Sequence, residues 1–221
     1  MNRGSTSFTD RTDAGQRLGE TLAGLDLDAD LVLAIPRGGL PVGREVADAL
    51  GLPLDVAVAS KIGAPGNPEL AIGAVASDGS AWIDEETVAA LGVGREYVVR
   101  EREREAEVAR EKAERYRTDG PPDVTGRTVV LVDDGAATGS TAIAAVRLLH
   151  ARGVGRVVVA LPVAPPETVS ALEDAADEVV CLLEPASFGA VGRFYRRFDQ
   201  VSDEEAVAYL REDDGSGGTS G

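Results

Sequence analysis

Two adjacent carboxylates followed by a run of small residues offer the clearest chemistry in this chain. Residues 129–141 read Val-Val-Leu-Val-Asp-Asp-Gly-Ala-Ala-Thr-Gly-Ser-Thr, so an apolar run ends in Asp133 and Asp134, here called the acid pair. A helix starting at residue 140 would direct free N–H groups and its positive dipole end toward an anion. Room for a phosphate is left by Gly135, Ala136, Ala137 and Gly139. Hydroxyl donors are added by Thr138, Ser140 and Thr141.

The acid pair limits the class of ligand that the small-residue loop (residues 135–141) is expected to bind. Carboxylates repel a phosphate but accept hydrogen bonds from vicinal hydroxyls, so a sugar phosphate is predicted. The pattern is not a Walker loop, since no lysine follows Gly139, and it lacks the GxGxxG dinucleotide fingerprint. A capped strand-to-helix turn without a ligand is the alternative, which two consecutive acids at the end of a buried strand disfavour.

A second glycine-containing turn and an isolated lysine are further candidates. Residues 36–39, the glycine loop, read Pro-Arg-Gly-Gly after an apolar run. Gly38 and Gly39 permit a strained or positive-φ backbone, so that amides can face an oxyanion, and Arg37 offers a bidentate fork. An ordinary strand-to-helix turn is the alternative. Lys61, one of only two lysines, opens residues 61–68, whose glycines and prolines predict an irregular loop.

Apolar runs and helical periodicity alternate along the chain and predict the elements that position these residues. Buried strands are predicted over residues 31–35, 54–59, 128–132, 156–161 and 178–183, with two shorter strands at 71–76 and 81–83. Helices are predicted over residues 10–25, 40–50, 85–91, 95–117, 140–152, 166–175 and 202–210. This alternation predicts an α/β fold with a mostly parallel central sheet flanked by helices. Ligands bind such sheets beyond the carboxyl ends of the strands, where the acid pair would lie.

Composition limits the class of protein. A chain of 221 residues predicts one domain, over residues 8–210, followed by a flexible tail at 211–221. The formal net charge of −16 disfavours nucleic acid as a partner, because phosphate backbones are repelled. Adaptation to high salt is one explanation of this acidity, and a biased codon composition is the alternative. A single cysteine, a polar amino terminus and the lack of a membrane-spanning apolar stretch predict a cytoplasmic protein with no membrane partner.

Residues 133–141 resemble the signature of the type I phosphoribosyltransferases, in which two acids, a small-residue loop and Thr-Gly follow an apolar strand. The resemblance extends over about residues 8–210 and is greatest to a prokaryotic group with an unassigned acceptor. It implies the family's α/β fold, with a hood formed mainly by residues 184–210 and helped by the amino terminus. It further implies that Asp133 and Asp134 hold the ribose 2- and 3-hydroxyls, and that residues 136–141 hold the 5-phosphate.

The same resemblance implies the rest of the reaction. The glycine loop would hold the pyrophosphate of phosphoribosyl pyrophosphate, and Lys61, on a mobile loop, would contact it as it departs. Mg²⁺ is implied as a cofactor that is held mainly by substrate oxygens rather than by a protein cage. The partners implied are phosphoribosyl pyrophosphate and a small nitrogenous acceptor, and a homodimer is common among relatives.

The acceptor is the least determined part. Residues 188–192 are similar to a segment of purine enzymes in which an aromatic ring stacks on the base, which points to Phe188 and Val191; an aromatic minicore explains the same residues. Ala137 departs from the carboxylate of hypoxanthine-guanine enzymes and argues against a 6-oxopurine.

Two functions follow, a phosphoribosyltransferase or a noncatalytic regulator that binds phosphoribosyl pyrophosphate, and the presence of both Arg37 and Lys61 favours catalysis. A sugar-phosphate hydrolase is disfavoured, because His150 has no evident nucleophile to activate.

Overall fold

The computed structural model describes residues 7–116 and 120–211. Its strands are β1 (Leu31–Ala34), β2 (Leu54–Val56), β3 (Ala59–Ala64), β4 (Asn67–Ala76), β5 (Ala81–Ile83), β6 (Thr128–Val132), β7 (Arg156–Val163) and β8 (Glu178–Leu183). Its helices are α1 (Arg11–Ala23), α2 (Gly39–Leu50), α3 (Glu85–Ala90), α4 (Arg95–Glu114), α5 (Ser140–Ala151), α6 (Pro166–Glu173) and α7 (Asp203–Arg211). A 3-10 helix spans Val191–Phe194.

A five-stranded sheet forms the centre of the protein, in the order β2-β1-β6-β7-β8, and every neighbouring pair is parallel. Strands covered on both faces are expected to be apolar, and β1 and the part of β6 that follows Thr128 fit this expectation. The register pairs Ala34 of β1 with Val132 of β6, so both strands end at the same level. The glycine loop and the acid pair therefore emerge side by side.

Helices cover both faces of this sheet because alternate residues of each strand point in opposite directions. On one face, Leu33 and Leu131 pack with Leu149 of α5. On the other face, Val32 and Val130 pack in a cluster that includes residues of α1 and α2. The predicted α/β architecture with a mostly parallel sheet is therefore present.

A second, antiparallel sheet in the order β3-β4-β5 replaces the irregular loop expected over residues 61–68, so that prediction is wrong. The glycines and prolines serve a tight turn between β3 and β4 instead, in which Gly66 has a φ of +74°. A Cβ at Gly63 would lie 2.8 Å from the Cα of Pro68, so glycine permits this close backbone approach. Residues of α4 pack on this sheet around Ile62.

The hood residues separate into two parts. Phe8 forms a bridge with Tyr195, and the Phe8 amide donates to the Phe194 carbonyl oxygen at 2.7 Å, which joins the amino terminus to the hood as expected. The end of the hood forms α7, which packs on α2 and β2. Arg211 belongs to this helix, whereas the rest of the predicted tail, residues 212–221, lies outside the described residues. Within residues 7–116 and 120–211, no helix is both long and apolar enough to cross a membrane.

Candidate active site

The acid pair lies at the carboxyl end of β6, in the middle of the central sheet. The Asp134 amide donates to Oδ1 of Asp133 at 2.8 Å, so the first carboxylate folds back on the backbone of the second. Beside them, the Ile35 amide donates to the Val132 carbonyl oxygen at 2.8 Å and continues the pairing of β1 with β6 past the last strand residues. The backbone that carries both acids is thus held in the sheet.

The glycine loop packs directly against the acid pair. A Cβ at Gly38 would lie 2.7 Å from Cγ of Asp134, and a Cβ at Gly39 would lie 3.0 Å from Cα of Asp133. Neither glycine uses the positive-φ region that its type permits, because Gly38 has a φ of −61° and Gly39 is absent from the positive-φ glycines of the described chain. Glycine is required here for space beside the acids. The peptide bond between Pro36 and Arg37 is cis.

The electrostatic environment of the two acids differs. Burial raises the pKa of Asp133 well above its ordinary value, and repulsion from the Asp134 carboxylate raises it further. Burial also raises the pKa of Asp134, but a hydrogen bond from Arg11 and the charge of that guanidinium oppose the rise. Arg11 therefore hydrogen-bonds Asp134 directly, whereas it acts on Asp133 only through its charge.

Arg11 and Tyr195 are site residues that sequence reasoning missed. Nε of Arg11 donates to Oδ2 of Asp134 at 2.8 Å, and the Tyr195 hydroxyl donates to the Asp134 carbonyl oxygen at 2.6 Å. Burial raises the pKa of Tyr195, so this hydroxyl keeps its proton and remains a donor. Both residues are distant from Asp134 along the chain; no local pattern marks Arg11, and Tyr195 stands out only as one of the aromatic residues of the hood.

The small-residue loop leads from the acid pair into α5 as predicted. Gly139 has a φ of +69° and Ser140 is the first helical residue, so the amides of the first turn have no intrahelical acceptor. The hydroxyl groups of Thr138 and Ser140 lie 3.0 Å apart, and both side chains are exposed. Exposed hydroxyls at a helix amino terminus can bind a phosphate.

Two other residues hold this loop rather than facing an anion. The Ala136 amide donates to the Val163 carbonyl oxygen at 3.0 Å, and its methyl group belongs to the core, so this amide is already used. The hydroxyl of Thr168, buried in α6, donates to the Ala137 carbonyl oxygen at 2.7 Å. Sequence reasoning did not single out Thr168.

A cavity of about 320 Å³ opens beside the glycine loop and reaches the first turn of α5. It brings Arg37 and Thr141 together with side chains to which the sequence analysis gave no role in a site: Lys112, Arg115, Tyr116 and Asp203. We call Arg37, Lys112 and Arg115 the cationic wall.

Asp203 is the anion of this cavity. Its Oδ1 lies 3.4 Å from Nη1 of Arg37, and its Oδ2 lies 3.6 Å from Nη1 of Arg115. The Tyr116 hydroxyl is 3.4 Å from the same Oδ1. These long contacts between half-exposed groups are weaker than the Arg11–Asp134 bond.

Lys61 lies on β3, half-exposed, on the face opposite the buried Ile62. Ala59 shares the face of Lys61 by strand alternation, and it lines the same cavity as Thr141 and Ala145 of α5. Lys61 itself is not among the residues that line this cavity.

Phe188 and Val191 lie in the aromatic part of the hood. The rings of Phe188 and Phe194 are 5.3 Å apart, and both belong to a cluster with Phe8 and Tyr195. This packing accounts for the aromatic-minicore interpretation, while Phe188 remains half-buried. A Cβ at Gly135 would lie 2.8 Å from Cγ1 of Val191, so the hood contacts the small-residue loop.

Comparison with known proteins adds a family match. A family model described as a phosphoribosyl transferase domain matches residues 9–195. Two proteins of Mycobacterium tuberculosis, from the strains CDC 1551 / Oshkosh and ATCC 25618 / H37Rv, are provisionally named phosphoribosyl transferases. Each is 47% identical to this chain over 206 residues, which cover 92% of this chain and 46% of the relative. The chain thus spans about half the length of the curated relatives it matches.

A solved structure agrees with the fold. The crystal structure of the protein TT1426 from Thermus thermophilus matches with a TM-score of 0.87 at 46% sequence identity. The match covers 92% of this chain and 97% of that protein. The predicted fold class is confirmed.

Proposed function

The chain belongs to the phosphoribosyl transferase domain family, as predicted, and from this membership we propose that it transfers 5-phosphoribose from phosphoribosyl pyrophosphate to a nitrogen acceptor and releases pyrophosphate. The family match supports the predicted enzyme class, a glycosyltransferase of the pentosyltransferase kind. The acceptor, the cytoplasmic location and the homodimer stay predictions.

The observation that carries the proposal is the contact between the glycine loop and the acid pair, where only glycine leaves space at position 38 beside Asp134. The small-residue loop begins at the next residue after Asp134 and leads to the amino terminus of α5. The amino terminus of α5 and the loop that carries Arg37 therefore flank two carboxylates. A ligand with a phosphate at one end, a diol in the middle and a second anionic group at the other end fits this order.

In the proposed complex, Asp133 and Asp134 accept hydrogen bonds from the ribose hydroxyls. The 5-phosphate binds at the first turn of α5, through its amides and the hydroxyls of Thr138, Ser140 and Thr141. The pyrophosphate enters the cavity beside the glycine loop, where Arg37 and the rest of the cationic wall neutralise it. Lys61 approaches from β3. Local positive charge would thus overcome the net charge of −16.

Mg²⁺ is the cofactor implied by the family. Among the described residues, no three His, Cys, Asp or Glu side chains gather as a metal site, and Asp203 is the sole carboxylate that lines the cavity. A Mg²⁺ ion that keeps several waters and binds donor phosphate oxygens fits this open cavity. When bound, the ion would neutralise charge on the leaving pyrophosphate.

The proposed step breaks the C1–O bond of the donor, and the electron pair leaves with the pyrophosphate. Positive charge develops on the ribose ring while the acceptor nitrogen forms the new C1–N bond from the opposite face and then loses its proton. Arg37 and Lys61 stabilise the leaving group, and the negative charge of Asp134 lies near the cationic sugar. No covalent enzyme intermediate is required, since positioning and charge supply the catalysis.

The test follows pyrophosphate release from phosphoribosyl pyrophosphate and Mg²⁺ with a panel of bases, including adenine, hypoxanthine, uracil and orotate, and simple amines. We expect release that depends on one acceptor class, with hypoxanthine inactive because Ala137 supplies no carboxylate. Asp134→Asn should abolish release, whereas Asp174→Asn, at an exposed acid that ends α6, should leave it unchanged. Donor binding measured by calorimetry without release from any acceptor would favour the noncatalytic regulator. No donor binding at all would refute both functions.

A further inference from the structure

Arg11, the first residue of α1, makes three contacts that join the acid pair to the hood. Its Nε donates to Oδ2 of Asp134 at 2.8 Å, and its Nη1 donates to the Asp199 carbonyl oxygen at 2.6 Å. Its guanidinium carbon lies 3.9 Å from the centre of the Phe198 ring, a stacking distance. One planar group thus uses two edges and a face, which a lysine cannot reproduce.

We propose that Arg11 is a positioning residue for Asp134, which orients this carboxylate for the ribose and anchors it to the hood. The inference rests on the proposed function, because Asp134 acts as a ribose ligand only there. Nε engages Oδ2, so Oδ1 is the oxygen that the proposed ribose contact would use. Since Asp199 and Phe198 belong to the hood, a displacement of the hood would alter the support of Asp134.

A second ion pair between the amino terminus and the hood allows the positioning of Asp134 to be distinguished from simple attachment of the hood. Arg197 of the hood bonds to Asp10, the residue that caps α1, so it also links the amino terminus to the hood. The Arg197 and Asp10 side chains are 67% and 30% exposed, whereas those of Arg11 and Asp134 are 12% and 14% exposed. A charged hydrogen bond that is shielded from water is worth more than an exposed one. Arg197 is therefore the matched control.

The groups that face Asp134 determine how its ionisation responds to loss of Arg11. Asp133, the preceding residue, carries a carboxyl group that interacts repulsively with that of Asp134, and the Tyr195 hydroxyl from the hood donates to the Asp134 carbonyl oxygen as a neutral group. The glycine loop contributes Gly38, which has no charge, and α1 contributes Arg11. Arg11 is the cation of this set and lowers the pKa of Asp134 against the effect of burial. Its removal should therefore raise that pKa, and Asp134 should lose its charge at a higher pH.

The experiment compares Arg11→Gln, Arg11→Lys and Arg197→Gln in the full-length chain. The pKa of Asp134 is followed without ligand by NMR of ¹³C-labelled aspartate carboxyls, assigned with Asp134→Asn. Donor Kd is measured by calorimetry from pH 6 to pH 9. We expect Arg11→Gln to raise the pKa of Asp134 and to weaken donor binding about tenfold or more, since a charge-assisted hydrogen bond is lost. The loss should grow as the pH falls, because protonation then removes the remaining charge.

The controls make the outcomes distinct. Arg197→Gln should change donor Kd by less than about twofold, as expected of an exposed ion pair. Arg11→Lys keeps the positive charge, so its pH profile should stay close to that of the native chain although the contacts to the hood are lost. If Arg11→Gln fails to fold, the pH profile of Arg11→Lys still tests the proposal, because this variant keeps the charge without the contacts to the hood. An unchanged Asp134 pKa in Arg11→Gln, or equal losses in the Arg11 and Arg197 variants, would overturn the inference. Absence of donor binding by the native chain would instead refute the proposed function.

Discussion

The two ends of the candidate site are built differently, and two ion pairs show the contrast. At the acid pair, Arg11 and Asp134 meet at 2.8 Å with side chains that are almost buried. At the cationic wall, Arg37 and Asp203 meet at 3.4 Å, and their side chains are 37% and 42% exposed. The first contact lies under the hood, whereas the second lies in an open cavity. A buried, well-aligned pair resists exchange, and an exposed, long pair is readily replaced by another anion.

This difference indicates that the acid pair and the cationic wall have different roles. The acid end is organised before any ligand binds, because the sheet, Tyr195 and Arg11 all hold Asp134. At the cationic wall, Arg37 and Arg115 are in place, but both form ion pairs with the Asp203 carboxylate. Catalysis by electrostatic preorganisation needs the first property, and release of a charged product is aided by the second. The following variants test this comparison, in order of decreasing effect.

The largest effect is expected at Asp133. Asp133→Asn should lower turnover about 100-fold or more, as expected when a preorganised charge is lost. It should also raise Tm at pH 7.5 by about 2–4 °C, which corresponds to roughly 1 kcal/mol for a domain of this size. Burial raises the folded-state pKa of Asp133, so its ionisation destabilises the native state above that pKa. This destabilisation disappears as the pH falls toward the ordinary pKa of an aspartate, and the gain in Tm should shrink with it.

Calorimetric scans at pH 7.5 and pH 4 test the sign of this effect. Asn keeps an oxygen that can accept the bond from the Asp134 amide, so lost geometry is not the expected outcome. A lower Tm of Asp133→Asn at pH 7.5 would show that Asp133 stabilises the fold and that its ionisation does not destabilise the native state.

A methyl group in the glycine loop should have the next largest effect. Gly38→Ala places a Cβ against the Asp134 carboxylate, and overpacking of this kind costs about 1–3 kcal/mol. Donor Kd should rise about 10-fold to 100-fold, because either Asp134 or the loop must move. Gly94→Ala is the matched control, since a Cβ there meets nothing within 4 Å. Equal donor affinity in both variants would show that the glycine loop and the small-residue loop do not bind the same ligand.

Loss of a cation at the open end should have a smaller effect. Arg37→Ala and Lys61→Ala should each raise the KM for the donor about tenfold, through loss of a charged hydrogen bond to pyrophosphate. Arg104→Ala removes an exposed arginine that pairs with glutamates on α4, and it should leave KM unchanged. Steady-state rates at varied donor concentration, with the acceptor saturating, provide the measurement. An unchanged KM in Lys61→Ala would remove β3 from the donor site.

The smallest effect is expected to have the opposite sign. Asp203→Asn removes the anion that competes for Arg37 and Arg115, so the donor and inorganic pyrophosphate should each bind about twofold to fivefold more tightly. The amino terminus of α7 should persist, because Ser202 and Glu205 exchange capping bonds there. Calorimetric titration with pyrophosphate measures the change. Weaker binding would mean that Asp203 orients the arginines rather than competing with the ligand.

Sequence reasoning succeeded where neighbours along the chain constrain one another. The apolar strand β6, the two acids, the small residues and the start of α5 are consecutive, so their order in space follows from their order in the chain. It failed over residues 61–68, because glycine and proline occur both in irregular loops and in hairpin turns. What distinguishes the two is the pairing of β3 with β4, for example Ser60 with Val75. At Gly38 it identified the residue type but not its cause, which is the nearness of Asp134.

By itself, the sequence determined the parallel α/β architecture, the acid pair at a strand end and the helix terminus beside it. Only the tertiary structure decided which charges face these groups. Arg11 and Asp134 are 123 positions apart, and Arg37 and Asp203 are 166 positions apart. The physical reason is one of range. Strand, turn and helix preferences act over a few residues, whereas an ion pair between distant segments depends on how helices and hood pack on the finished sheet.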